Sequence, residues 1–149
     1  MKSRRIATLA MTLLCATGAV ASAAPASAAA PTADRSMSAQ AFGWCDGRNP
    51  NGHTDAKTVR TNGAGAALVE LRFSPSARCA WGRVTGGVGS EIWTDRSFNG
   101  GATWQGMLGY AKVNSGTTNF SLEYDDAGVV MRACGTIWAG APIQCTAWY

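Results

Sequence analysis

Among this chain's residues, one histidine, nine acidic residues and six tryptophans have side chains able to bind a ligand or break a bond. His53, the single histidine, lies in the polar stretch Asn49-Pro50-Asn51-Gly52-His53-Thr54-Asp55. Any Ser-His or Cys-His nucleophilic scheme would have to use it, yet the chain carries no nucleophile-elbow pattern. His53 therefore reads as an incidental surface residue. Paired carboxylates can cleave glycosides, and Glu70, Glu91, Asp95, Glu123, Asp125 and Asp126 are the candidates. Glu70 and Glu123 alternate with apolar neighbours and are expected on solvent faces. Asp125-Asp126 falls in a tight turn, where Asp is favoured for bonding to the nearby backbone, and it lacks the spacing of a calcium loop. No residue is assigned a catalytic role.

The tryptophans are more informative: Trp44, Trp81, Trp93, Trp104, Trp138 and Trp148. A small β domain buries three or four such rings. The remainder suit stacking on sugar rings or anchoring a protein partner. Trp93 shares a strand face with Glu91, opposite Val88 and Ile92. Trp148 shares one with Gln144 and Thr146, opposite Ile143, Cys145 and Ala147. Trp138 sits in the irregular stretch Gly135–Gln144. Trp93, Trp138 and Trp148 are thus the expected ligand contacts.

The start of the chain bears on where these side chains operate. Lys2, Arg4 and Arg5 precede an apolar run from Ile6 to Val20, followed by Ala21-Ser22-Ala23 and Ala26-Ser27-Ala28. This order describes a secretory signal peptide over residues 1–28, cut after Ala28 or, second, after Ala23. Ser3-Arg4-Arg5 is a weak twin-arginine match, because Ala7 and Thr8 fill the hydrophobic positions expected next, so the general secretory route is favoured. The run is too short and too rich in small residues for a membrane span. Export removes Cys15 and leaves Cys45, Cys79, Cys134 and Cys145 in an oxidising compartment, where an even number reads as two disulfides. Cys134 and Cys145 flank one Gly- and Pro-containing loop and are expected to pair, which leaves Cys45 for Cys79; the two other pairings stay open. Chain entropy assigns about 4 kcal/mol to the larger loop and about 3 to the smaller.

Charge excludes one class of partner. The formal charge of +4 comes from thirteen Lys and Arg against nine Asp and Glu, and three of the basic residues lie in the signal. The remainder is close to neutral and holds no basic run, so nucleic acid is not an expected partner. Nor is a membrane, once the signal is cut. Residues 29–41 lack periodicity and are expected to form a flexible leader before a single secreted domain, residues 42–149.

Period-two alternation recurs along that domain, with no helical periodicity. Ala67, Val69, Leu71 and Phe73 share one face while Glu70 and Arg72 take the other. Thr118, Phe120, Leu122 and Tyr124 alternate with Asn119, Ser121 and Glu123, Val129, Met131 and Ala133 alternate around Arg132, and Ile143 to Tyr149 alternate likewise. Weaker candidates are Cys79–Val84, Val88–Thr94 and Thr103–Val113. Ser74-Pro75, Gly86-Gly87, Asn99-Gly100-Gly101, Asn114-Ser115-Gly116 and Asp125–Gly128 supply turns between them. The expected fold is all-β, a small disulfide-stabilised β-sandwich or barrel of about seven short strands.

Two stretches resemble known families. Ser97-Phe98-Asn99-Gly100-Gly101-Ala102-Thr103-Trp104 resembles the Asp-box hairpin, S-x-D-x-G-x-T-W, with Asn99 in the place of Asp. The resemblance implies a structural turn: Ser97 and Asn99 cap it, Gly101 supplies the unusual backbone angle, and Trp104 packs beneath. Residues 44–84 resemble the YjfA-like family of small secreted Gram-positive proteins of unknown function. The matching pieces are Cys45-Asp46-Gly47 with Asn49-Pro50, Thr54-Asp55-Ala56 with Thr58, and Val69-Glu70-Leu71-Arg72-Phe73-Ser74-Pro75 with Ala80-Trp81-Gly82-Arg83-Val84. In the family pattern, cysteines stand where this chain has His53 and Ala77, a joint absence that suits a lost or relocated bridge and leaves the Cys45–Cys79 pairing open. The family brings no activity, substrate or catalytic residue with it.

The first functional expectation is a secreted, non-catalytic domain that binds glycan or cell wall and uses no cofactor or metal. The alternatives are a protease inhibitor or protein-binding module presenting the Gly135–Gln144 loop to a secreted protein, and a small hydrolase using acidic residues.

Overall fold

Alternating apolar side chains define the inner faces of two sheets in a computed structural model that describes residues 43–149. Residues 1–28, the leader 29–41 and Phe42 lie outside the described residues. The elements are β1 (Lys57–Ala64), β2 (Ala67–Ser74), β3 (Cys79–Thr85), β4 (Glu91–Ser97), β5 (Gln105–Lys112), β6 (Thr118–Phe120), β7 (Tyr124–Asp125), β8 (Val130–Thr136) and β9 (Gln144–Cys145). There is no helix among the described residues. One sheet runs β1-β2-β3-β6, with β7 pairing the other end of β3; the second runs β5-β4-β8-β9, and every pairing is antiparallel. The fold is a small disulfide-stabilised β-sandwich.

The core lies between the sheets. Val69, Leu71 and Phe73 from β2, with Val84 from β3, meet Ile92 from β4 and Met131 and Ala133 from β8. Full burial of a side chain such as Leu71, Ile92 or Met131 contributes roughly 1.5–3 kcal/mol. Gly82 sits opposite Leu71 in the register, where a Cβ would lie 2.7 Å from Ile92 Cγ1, so only glycine allows β3 to approach β4 this closely. The lateral edges are also tied. Asn62 Nδ2 donates to the Cys145 carbonyl at 2.9 Å on one side, and the Leu122 amide donates to the Gly109 carbonyl at 3.1 Å on the other.

Two sulfur bridges form, Cys45–Cys79 and Cys134–Cys145. The first pins the N-terminal segment, residues 43–56, across the outer face of the first sheet. Asp55 fastens the same segment, accepting hydrogen bonds from Ser74 Oγ at 2.6 Å and the Ser76 amide at 2.8 Å. These bonds, the Ser74 hydroxyl first, hold the Asp55 carboxyl down from 3.8 to about 2. A carboxylate with a depressed folded-state pKa contributes stability that is present above the unfolded value and lost as pH falls through the folded one. The expected result is that denaturant midpoints of the native protein fall between about pH 4 and pH 2, and that Asp55→Asn flattens this acid limb. Identical acid limbs would remove Asp55 from the account.

Alternation misassigns three places. Among the described residues nine strands form rather than about seven. The additional β1 reads Lys-Thr-Val-Arg-Thr-Asn-Gly-Ala, an exposed edge strand with little apolar content to betray it. The chain after Ile143 makes only the short β9, although Met131 and Tyr149 still exchange backbone hydrogen bonds. The stretch Thr118–Tyr124 splits into β6 and β7 with inverted polarity: Ser121 and Glu123 are buried while Phe120 and Leu122 are exposed. The inversion has local causes. Ser121 Oγ accepts the Gly82 amide at 2.8 Å, and Glu123 receives His53.

Candidate functional site

The outer face of the second sheet gathers the chemistry. Antiparallel register sets Trp93 beside Cys134 and Asp95 beside Arg132, and residues two apart on a strand share a face. On the other side of β4, Thr94 pairs with Leu108 and Arg96 with Gln105, so Asp95 alone opposes both Gly106 and Met107. This is a β-bulge, a device that re-aims backbone and side chains at sheet edges. It drives Met107 to φ 56°, a left-handed conformation seldom adopted by a side chain of this kind. Arg78 is the other such non-glycine residue among those described.

Asp95 is buried and occupied on both oxygens. Its Oδ1 accepts the Met107 amide at 3.3 Å, and its Oδ2 accepts Arg132 Nε and Nη2 at 2.9 Å each. The forked bond fixes the guanidinium plane. Arg132 Cζ then lies 4.5 Å from the Trp148 ring centroid and 4.7 Å from that of Trp104. The two rings are 6.3 Å apart and tilted by 59°. Arg132 thus occupies the angle between two indoles, at cation–π distance from both.

The Asp-box-like turn helps place those rings. Ser97 Oγ accepts the Gly101 amide at 2.7 Å, and Asn99 Oδ1 accepts the Thr103 amide at 2.9 Å. Gly101 adopts φ 97°, and a Cβ there would lie 2.6 Å from Trp148 Nε1. The glycine serves the turn angle and the seat of Trp148 together. Trp104, expected beneath the hairpin, instead stands 52% exposed beside Arg132.

The expected ligand contacts separate. Trp148 is half-buried within the cluster just described. Trp93 does lie on the face opposite Ile92, yet only 6% of it is exposed, with Tyr110 stacked at 6.5 Å. It therefore offers no open ring for a ligand. Trp138 is 54% exposed in the loop closed by Cys134–Cys145. Neither Arg132 nor Asp95 stands out in the sequence as part of a binding group, and Trp104 stands out only as a turn residue. The one available signal for Arg132 is its place opposite Met131 and Ala133 in the alternation.

The remaining candidates serve the framework. His53 is no incidental surface residue: its ring is 15% exposed, stacks on Trp81 at 5.4 Å, and brings Nε2 within 2.5 Å of Glu123 Oε2. Glu70, expected in solvent, is buried and accepts bonds from Thr58 and Arg83. Hydrogen bonds from Arg83 and Thr58 outweigh burial, the largest single effect and an opposing one, and hold its carboxyl below the usual range. The buried carboxylates Glu70, Asp95, Glu123 and Asp126 each face a basic side chain: Arg83, Arg132, His53 and Arg78. Two groups, His53–Cys79–Glu123 and Asp95–Cys134–Cys145, bring ligand atoms within 4.8 Å of one another. Their sulfurs are half-cystines, without the thiolate that binds a metal. The two bridges fit an extracellular setting. Compared with protein-family models, with curated proteins and with solved structures, the chain matches none of them.

Proposed function

We propose that this chain is a secreted, non-catalytic β domain that binds extracellular glycan through the Trp104–Arg132–Trp148 cluster. The observation that carries the reading is an open indole beside a second indole, with a guanidinium locked between them by a buried carboxylate. Such a surface offers flat apolar rings to the C–H faces of a sugar. Its fixed N–H donors suit sugar hydroxyls, and little ordering entropy is lost on binding. Export, as read from residues 1–28, would place the surface among cell-wall and environmental polysaccharides. Among the described residues each buried acid faces a basic side chain, an arrangement that suits a structural role for those carboxylates.

The test is retention of the protein on insoluble cellulose, chitin and cell-wall peptidoglycan. Trp104→Ala and Trp148→Ala are each expected to lower retention about tenfold, equivalent to about 1.4 kcal/mol, with thermal melts confirming a folded domain. Ala at Trp138 serves as the control and should leave retention unchanged. Equal partitioning of all four proteins on every matrix would end the proposal.

A further inference from the structure

A cavity of about 510 Å³ opens at one end of the sandwich, between the β2–β3 turn, the β7–β8 turn and Tyr149. Its apolar lining comes from Phe73, Pro75, Val129 and Tyr149, with the two aromatic rings 5.5 Å apart and tilted by 57°. Its polar groups are Asp126 and Arg78, and they are placed unequally. Asp126 is recessed, its side chain 11% exposed, whereas Arg78 is 59% exposed and reaches Asp126 only at 3.4 Å. Burial pushes the Asp126 carboxyl up, and Arg78 offsets that only in part. The recessed charge in this cavity is therefore negative and loosely compensated.

The asymmetry selects the sign of a ligand. An anion meeting Arg78 would gain little, because a guanidinium this exposed is already hydrated and screened. A cation reaching Asp126 would meet a carboxylate that has given up much of its water, where pairing is stronger. The lining suits the rest of such a ligand, since aliphatic stems lie along apolar surface while their charged heads reach outward. The Tyr149 ring already receives one cation, with Arg60 Cζ at 5.0 Å from its centroid. We infer that this pocket binds an ammonium or guanidinium group carried on an apolar stem, as on a lysine or arginine side chain, with Asp126 as its counter-ion and Phe73 and Tyr149 along its stem. None of its lining residues belongs to the Trp104–Arg132–Trp148 cluster, and the inference does not depend on glycan binding.

The experiment is a calorimetric and NMR titration of the intact protein with Nα-acetyl-lysine methylamide, alongside the norleucine and glutamate derivatives. Saturable binding is expected for the lysine derivative alone. Asp126→Asn is expected to weaken it at least tenfold while the thermal midpoint confirms folding. Arg78→Asn, which removes the competing cation and keeps a residue tolerant of the φ 55° found there, is expected to tighten it. Replacing the derivative by n-butylamine separates the sources: equal affinity assigns a free amine, and weaker binding assigns a peptide side chain. Absence of lysine binding, equal binding of norleucine, or preference for glutamate with loss on Arg78→Asn would each overturn the inference.

Discussion

Replacing Cys45 and Cys79 together by alanine is expected to lower the unfolding free energy by about 4 kcal/mol. The bridge joins residues 34 apart, and the entropy a cross-link removes from the unfolded chain grows with the logarithm of that separation. It also secures the segment that covers the first sheet. Without it, residues 43–56 depend on dispersed polar contacts: Trp44 Nε1 to the Ala77 carbonyl, His53 to Glu123, and Asp55 to Ser74 and Ser76. Alanine at Cys134 and Cys145 should cost less, about 3 kcal/mol, because that loop spans only 11 residues. Urea denaturation followed by tryptophan fluorescence measures both. A loss under 1 kcal/mol for the first pair, or a reversed order, would contradict the assignment. A typical domain has only about 5–15 kcal/mol in total, so a loss of about 4 kcal/mol is a large share of its stability.

A comparable loss, about 3–5 kcal/mol, is expected for Asp46→Ala. Arg96 of β4 is nearly buried, and its Nη1 donates to Asp46 Oδ1 at 3.0 Å and to Oδ2 at 2.8 Å. Gln105 Oε1 and the faces of Phe98 and Tyr124 complete its surroundings. Asp46 Oδ1 also accepts the Asp125 amide at 2.8 Å, so one carboxylate links the N-terminal segment, β4 and β7. Alanine at position 46 leaves a nearly buried guanidinium without its counter-ion. Its cost comes mostly from that uncompensated charge rather than from the lost attraction. Removing both charges in Asp46→Ala/Arg96→Met is therefore expected to restore much of the stability, and a double-mutant cycle reads the coupling directly. Simple additivity would show that the pair is not the source.

The strands that alternation reads correctly are those whose polar face meets solvent or a single neighbour. Val69, Leu71 and Phe73 line the core as their spacing predicts, as do Met131 and Ala133. Alternation assigns a residue to one of two faces but carries no information about what lies above each face. Glu70 is on the outer face, as expected, and is nonetheless buried, with Thr58 and Arg83 side chains bonded to its carboxylate. Trp81 and His53 cover each other for the same kind of reason. In Thr118–Tyr124 the apolar face was assigned inward, yet Ser121 and Glu123 hold the interior because backbone amides and His53 demand partners there. A buried polar group that finds its hydrogen bonds can displace an apolar one.

Chemistry confined to a few adjacent residues is legible in the sequence alone: the turns, the Ser97–Trp104 hairpin, the all-β class and the expected pairing of the cysteines. These are local matters, set by backbone sterics, by side chains reaching two to four residues away, and by the cost of closing loops. The tryptophan–arginine face was not legible. Trp104 and Trp148 meet over Arg132 only because a cross-strand register, a bulge opposite Asp95 and the path of the last residues converge, and contacts between distant parts of a chain leave no periodic trace in it.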